Sequence, residues 1–203
     1  MPTDTFFRLP EEKRGRILAS AWEEFTAVPY AEASINRIVR ASRIPRGSFY
    51  QYFADKNDLF LCLIDEIRDE FLDRFHDTLE RSGGDLFAMP LALLDAMVAP
   101  SGYITPAFSR AFALLSLNVN MDVQQLFFER AADELCPQKI LEHIDPALLR
   151  SQEEGFVDNV FTLLVGTLAC AIGRTLQKPE DYSRERERLR GCVAVIQYGS
   201  AAL

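Results

Sequence analysis

The sequence predicts an all-α protein, in which a small amino-terminal domain with a helix-turn-helix is followed by a larger helical domain. Apolar residues recur at helical spacing along most of the 203 residues, and strand-type alternation is almost absent. Prolines and glycines divide the second half into separate helical segments. Residues 34–56 carry five Lys or Arg side chains against one acid, Asp55, although the whole chain has a net charge of −8. This charge separation predicts a basic surface on an acidic body.

Three short helices are predicted in the amino-terminal domain. The first covers residues 11–25, where Ile17, Ala21 and Phe25 fall on one face. After a break centred on Pro29, Ser34 is expected to cap a second helix. That helix must end near Arg43 because Pro45 disfavours helical geometry in the residue before it. Pro45 then suits the first turn of a third helix.

A long fourth helix follows. Asp55 is expected to cap it, with Asp58 three positions later in a capping-box arrangement. An apolar stripe predicts about six turns, ended by residues 82–84: Phe60, Ile64, Ile67, Phe71, Phe75 and Leu79. We therefore predict a helix-turn-helix domain over 1–56 and a second domain over 57–203, connected by the fourth helix near 55–81.

Six further helices are predicted near 86–99, 105–119, 122–135, 146–153, 156–177 and 182–200. In the last two, small or apolar residues share a face: Gly166, Ala169, Gly173, Cys192, Val193 and Ile196. Such a pair of late helices is typical of a homodimer interface. Periodicity alone leaves open the alternative that the two helices close the core of the monomer.

Segment 34–53 has the pattern of a helix-turn-helix that enters the major groove of DNA. Phe49 and Phe53 are expected to hold the third helix on the core. Arg46 can reach a guanine edge or a phosphate, and Gln51 can bind adenine. The full set of predicted DNA-binding residues is Ser34, Arg37, Arg43, Pro45, Arg46, Gly47, Ser48, Tyr50, Gln51, Tyr52 and Lys56.

About 45 residues resemble the DNA-binding region of TetR-type regulators with unbroken spacing. The matching runs are Arg16-Ile17-Leu18-x-x-Ala21-x-x-x-Phe25, Tyr30-x-x-x-Ser34-Ile35-x-x-Ile38 and Arg46-Gly47-Ser48-Phe49-Tyr50-x-Tyr52-Phe53-x-x-Lys56-x-x-Leu59-Phe60. The resemblance implies a homodimeric repressor that binds a palindromic operator. It also implies a small-molecule effector in the carboxy-terminal domain and a dimer bundle made by the last two helices. In the family, the equivalents of Arg46, Gly47, Ser48, Tyr50, Tyr52 and Lys56 commonly contact DNA.

The chain departs from the family pattern at the entrance to the third helix. Arg43 stands where the family usually has glycine, so we expect a strained turn and an additional cation close to the phosphates. Pro45 replaces a Ser or Thr that would cap the helix. Three other departures are Pro29, Ala33 and Val39. They make the base preference of relatives a poor guide to that of this chain.

The sequence argues against an enzyme, and no catalytic residue, metal or cofactor is predicted. Asp73 and His76 have the i, i+3 spacing of half a metal site, but the second half is missing. There is no Gly-rich phosphate loop. The alternative function is a helical adapter that binds protein through its acidic body. That alternative leaves the basic third helix unexplained, and salt-dependent binding to duplex DNA distinguishes the two.

Aromatic and apolar residues of the second domain predict a pocket for a hydrophobic effector. The expected lining is Phe108, Phe112, Leu115, Asn118, Phe127 and Phe161. The most apolar stretch, 160–173, is shorter than a membrane span, and no signal segment is recognised. We therefore expect a cytoplasmic protein without a membrane partner. Its four cysteines are expected to be free and mostly buried.

Overall fold

In a computed structural model, residues 2–98, 106–118, 139 and 142–201 are described. These residues form nine α-helices and no β-strand, which confirms the all-α fold class. The helices are α1 (Asp4–Phe7), α2 (Glu11–Ala27), α3 (Ile35–Ala41), α4 (Arg46–Tyr52), α5 (Lys56–Arg81), α6 (Met89–Met97), α7 (Pro106–Leu117), α8 (Glu154–Gln177) and α9 (Tyr182–Ser200).

One predicted helix is wrong, and another lies outside the described residues. Residues 146–153 form only a 3-10 turn, Pro146–Leu148, which the Asp145 side chain caps. Leu149 is extended beyond it, and the N–H of Arg150 donates to the carbonyl of Ser200 at 2.9 Å. This contact with the end of α9 takes the N–H that a helix would have used. The predicted helix at 122–135 lies outside the described part of the chain.

The chain divides into two compact units, at a place other than residue 56. Among the described residues, the first unit contains 2–69 and 109–118, and the second contains the rest. The first unit extends into α5 and α7 because apolar residues of both helices share its core. The shared core residues are Leu59, Phe60, Leu63, Ile64 and Leu114. The functional boundary that we predicted between 1–56 and 57–203 remains a prediction.

Both ends of α5 are built as the sequence predicted. The N–H of Asp58 donates to Asp55 Oδ1 at 2.8 Å, and Asp58 Oδ2 accepts from the N–H of Ala54 at 3.0 Å. At the other end, Gly83 and Gly84 have φ values of 64° and 84°. The N–H of Gly84 reaches back to the carbonyl of Leu79 at 2.8 Å, as in a Schellman motif. Glycine is needed here because it alone adopts positive φ without strain.

In the second unit, α6, α8 and α9 pack around a common apolar core. A polar cluster joins two of these helices, since Arg186 on α9 donates to both carboxylate oxygens of Asp95 on α6 at 2.8 Å. The hydroxyl of Tyr182 donates to the same carboxylate at 2.5 Å. Burial alone would raise the pKa of Asp95, but these hydrogen bonds outweigh it and hold that pKa below its ordinary value.

The expectation that the cysteine thiols are mostly buried needs correction. Cys62 is buried, but Cys170 is exposed and Cys192 is half-buried, so the three described thiols are not a buried set. Cys136 lies outside the described residues. By length and composition α8 could span a membrane, and 39% of its most apolar window is buried. A core helix meets the same criterion, so this one helix is weak evidence of a membrane protein.

Candidate nucleic-acid interface

Helix α4 is anchored on one side and exposed on the other, as the sequence predicted. Phe49 and Phe53 are fully buried, with ring centroids 5.5 Å apart. Burial of two large aromatic rings holds this seven-residue helix, which is too short to be stable alone. Its outer face exposes Pro45, Arg46, Gly47, Tyr50 and Gln51, while Ser48 is half-buried. Pro45 is the N-cap residue, one position before its predicted place.

The turn between α3 and α4 is a Schellman motif with arginine in the glycine position. Arg43 has a φ of 56°. Its N–H donates to the carbonyl of Arg40 at 3.2 Å, and the N–H of Ile44 donates to that of Val39 at 3.0 Å. Val39 and Ile44 are both buried in the first unit's core. The predicted strain is therefore confirmed, because a left-handed conformation costs a residue with a side chain about 1–2 kcal/mol.

Arg46 belongs to a polar cluster that crosses from α4 to α3. Its Nη1 donates to Asn36 Oδ1, and its Nη2 donates to the hydroxyl of Tyr50 at 3.1 Å. The guanidinium also lies 5.8 Å from the centroid of the Tyr50 ring. Arg46 is thus fixed in position while part of its donor fork remains exposed. Asn36 was not predicted, because a contact between side chains ten residues apart in two helices has no signature in the sequence.

Arg37 and Ser34 have their partners within the protein. Arg37 Nη2 and Nε reach Glu24 on α2 at 2.5 and 2.8 Å, and the N–H of Ser34 donates to Glu24 at 2.7 Å. The Ser34 hydroxyl makes no capping bond, contrary to expectation. Hydrogen bonds from Arg37 hold the pKa of Glu24 below its ordinary value, although burial opposes this. Glu24 therefore fixes the start of α3, and the sequence analysis missed it.

The lowered pKa of Glu24 predicts a loss of stability in acid. A carboxylate whose folded-state pKa is depressed stabilises the fold above its unfolded pKa, and that contribution disappears as pH falls through the folded value. We expect the free energy of unfolding to decrease as pH falls from about 4.5. In urea titrations at several pH values, Glu24→Gln should flatten this decrease. Glu23→Gln, at the exposed neighbouring position, should follow the wild type, and equal slopes in all three proteins would contradict the assignment.

Tyr52 and Lys56, which were predicted to contact DNA, have hydrogen-bond partners within the protein. Tyr52 is buried, and its hydroxyl accepts from Lys13 Nζ at 3.1 Å. Lys56 Nζ donates to the carbonyls of Tyr30, Ala33 and Ala31 at 2.6, 3.1 and 3.4 Å. An ammonium group has three donors, and three carbonyls surround this one. Lys56 therefore holds the segment that leads into α3.

Within the first unit, α7 helps to hold the same segment. Asn118 is buried, and its Oδ1 accepts from the N–H of Tyr30 at 2.8 Å, while its Nδ2 donates to the carbonyl of Leu114 at 2.7 Å. The Arg110 guanidinium lies 5.3 Å from the Trp22 ring, and the Trp22 N–H donates to Glu66 at 2.8 Å. Burial raises the pKa of Glu66, with these two partners opposing the shift.

Asn118→Ala is expected to destabilise the first unit by about 1–3 kcal/mol, because the part-buried N–H of Tyr30 loses its acceptor. The free energy of unfolding in urea measures this loss. Asn57 at the start of α5 is exposed, so Asn57→Ala should change stability by less than about 0.5 kcal/mol. If the two variants proved equally stable, the hydrogen bond between Tyr30 and Asn118 would not contribute to the stability of the first unit.

The described residues that were predicted to line an effector pocket divide between the two units. Phe112 and Asn118 belong to the first unit, and Asn118 is engaged by Tyr30. Phe161 belongs to the core of the second unit. Phe127 lies outside the described residues, as do the side chains of Phe108 and Leu115. The pocket therefore stays a prediction, with Asn118 reassigned to the support of Tyr30.

The predicted dimer residues divide between a surface and a core. Gly166 and Ala169 are exposed, and Gly173, Cys192 and Ile196 are half-buried. Val193 is buried in the core of the second unit, so its side chain does not belong to the surface. The exposed large apolar residues of α8 and α9 are Leu163, Val195 and Tyr198. A groove of about 410 Å³ runs between these two helices and includes Gly166 and Cys192 in its lining.

Comparison with known proteins finds similar sequences for part of the chain. Residues 17–63 match the family model described as bacterial regulatory proteins, tetR family. The transcriptional regulator AcuR of Cereibacter sphaeroides is 31% identical over 52% of this chain and 47% of its own length. The HTH-type transcriptional regulator HbdR of an Aromatoleum strain is 31% identical over 32% of this chain and 28% of its own length. The chain thus matches less than half the length of either relative.

A solved structure extends the similarity of fold to nearly the whole chain. SmeT, described as the repressor of a multidrug efflux pump of Stenotrophomonas maltophilia, has a TM-score of 0.64. The match covers 97% of this chain and 93% of SmeT at 15% sequence identity, so it supports the fold alone. Residues 17–63 are therefore similar to the DNA-binding region of tetR family regulators, and the fold of nearly the whole chain is similar to that of SmeT.

Proposed function

We propose that this chain is a cytoplasmic transcriptional repressor that binds a palindromic operator as a homodimer and is released by a small hydrophobic effector. The observation that carries the proposal is the outer face of α4. There Arg46 is held by Asn36 and Tyr50 beside the exposed Gln51, on a helix that Phe49 fixes to the core. A rigid element that presents an arginine fork and an amide is suited to reading base edges in the major groove.

Arg43 adds a second support for DNA binding. Its side chain is exposed at the entrance to α4, and it keeps an unfavourable φ of 56° although glycine would remove the strain. A cation retained at a structural cost is explained by a contact with phosphate. The predicted DNA contacts of Ser34, Arg37, Tyr52 and Lys56 have less support, because these residues are held by groups of the protein.

Homodimer formation is supported by the exposed face of α8 and α9. Leu163, Val195 and Tyr198 are 56%, 73% and 95% exposed, and the small residues Gly166 and Ala169 on α8 are exposed as well. Exposed apolar side chains beside small residues allow close helix packing with a second copy. The proposal that an effector releases the protein from DNA has less support than the homodimer. It is supported by the family resemblance and by α7, which begins in the second unit and continues in the first.

Selection of bound duplexes from a random DNA pool tests the proposal. We expect enrichment of an inverted repeat whose half-site centres lie about 34–36 Å apart along the helix, as successive major grooves require. Affinity for the enriched DNA should fall steeply with salt. A pool in which no sequence is enriched over random DNA would refute sequence-specific binding and favour the protein-binding adapter.

Arg43→Gly and Arg43→Asn separate the backbone of the turn from its charge. Glycine removes the left-handed strain, so the free energy of unfolding should rise by up to about 1 kcal/mol despite the greater flexibility of the unfolded chain. Asparagine tolerates this conformation as well. In both variants the slope of log affinity against log salt should decrease by about 0.9 for each phosphate that the protein no longer neutralises. Unchanged slopes would show that Arg43 does not contact the backbone of DNA.

A further inference from the structure

Residues 2–9, which precede the region matched by the family model, lie against the end of α4. The N–H of Thr3 donates to the carbonyl of Tyr52 at 2.9 Å, and the Thr3 hydroxyl donates to the carbonyl of Gln51 at 2.7 Å. One residue therefore contacts two successive carbonyls of the helix that carries Arg46, although 48 positions separate it from Gln51.

These two bonds provide donors for two of the last four carbonyls of α4. The last four carbonyls of a helix have no partner within it. In α4 the carbonyl of Phe49 is satisfied by the N–H of Phe53 at 2.9 Å, and Thr3 supplies donors to those of Gln51 and Tyr52. The last four residues are more than half of this seven-residue helix. Such a short helix is not stable alone, so partners for its last carbonyls help to keep it folded.

Helix α1 fixes Thr3 in this position. Phe6 is 1% exposed, and its ring centroid lies 4.7 Å from that of Phe53. Phe7 points away and is 55% exposed, but its carbonyl accepts from Arg14 Nη1 on α2 at 3.2 Å. The segment is therefore held by one buried ring and by a hydrogen bond from α2.

We propose that Thr3 and Phe6 are positioning residues for α4, the recognition helix of the proposed DNA interface. They fix the end of α4 and with it the direction in which Tyr50 and Gln51 meet the DNA. The inference rests on the proposed function, since it assigns to residues 2–9 a part in base recognition. It concerns positioning only, because the Thr3 hydroxyl is directed at the protein backbone and not at a ligand.

Thr3→Val keeps the shape of the side chain and removes the hydroxyl donor. We expect it to weaken binding to the selected operator about threefold to tenfold, the range for loss of one hydrogen bond. Affinity for random DNA, which depends on charge, should stay within about twofold. Thr3→Ser restores the donor and should restore operator affinity. Thr5→Val, at an exposed position two residues away, is the matched control and should behave as the wild type.

A second pair of variants tests the anchor. Phe6→Leu should lower operator affinity more than Phe7→Leu does, and hydrogen exchange should show faster amide exchange at the end of α4. If the wild type prefers an operator but Thr3→Val matches Thr5→Val, the positioning role is overturned and the proposed function stands. Equal losses of operator and random-DNA affinity would also overturn it. Absence of any preference in the wild type would overturn both.

Discussion

Replacing Arg46 by alanine is expected to lower operator affinity by about 2–6 kcal/mol and to relax the preference for guanine at one position of each half-site. A bidentate contact between arginine and guanine contributes about 1–3 kcal/mol of discrimination, and a dimer makes two such contacts. Fluorescence anisotropy with the selected operator, and with operators changed at single positions, measures both effects. The control is Arg184→Ala, which removes an arginine that is 72% exposed at the start of α9. The Arg184→Ala protein should bind the operator within about twofold of the wild type, because the lost charge does not belong to α4.

Asn36 makes the prediction for Arg46 more specific. Because Asn36 contacts the Arg46 guanidinium, Asn36→Ala should weaken discrimination at the same base position while leaving Arg46 present. In a double-mutant cycle the two substitutions should be non-additive by about 0.5–3 kcal/mol, as for residues in direct contact. Additive losses would show that Asn36 acts independently of Arg46. A uniform loss on all sequences after Arg46→Ala would reassign Arg46 to phosphate.

The anchoring of α4 and the strain at Arg43 could be predicted because both depend on local sequence. Phe49 and Phe53 stand four residues apart, which determines a shared helical face. Arg43 lies between a helix end and Pro45, where a left-handed residue closes the turn. The same reasoning predicted α9 at the residues where it is found.

The partners of the polar side chains could not be predicted, since they come from distant parts of the chain. Lys56 meets carbonyls 23 to 26 residues away, and Asn118 meets Tyr30 across 88 residues. Helical periodicity determines which face of a helix is polar, but not which backbone group that face will meet. The family resemblance implied that Lys56 contacts DNA, because a resemblance carries over residue types without their hydrogen bonds.

Leu163→Arg is expected to dissociate the homodimer that we propose and, with it, to abolish tight operator binding. Leu163 is 56% exposed on α8, beside the exposed Gly166. In a two-fold symmetric interface each substitution occurs twice, so two unpaired charges would be buried. We expect the dimer dissociation constant to rise at least a hundredfold, or about 3 kcal/mol. Sedimentation equilibrium measures this change, and circular dichroism shows that the monomer remains helical.

Loss of the dimer should change DNA binding in a way that a defect in α4 does not. A monomer retains its recognition helix, so it should still prefer a single half-site while losing the advantage that two linked half-sites provide. Affinity for the full operator should then approach that for a half-site, and the two should differ widely for the wild type. Phe7→Arg adds the same charge at a residue of similar exposure in the first unit, so it should leave the dimer intact. A dimeric Leu163→Arg protein with full operator affinity would exclude this face of α8 and α9 as the interface.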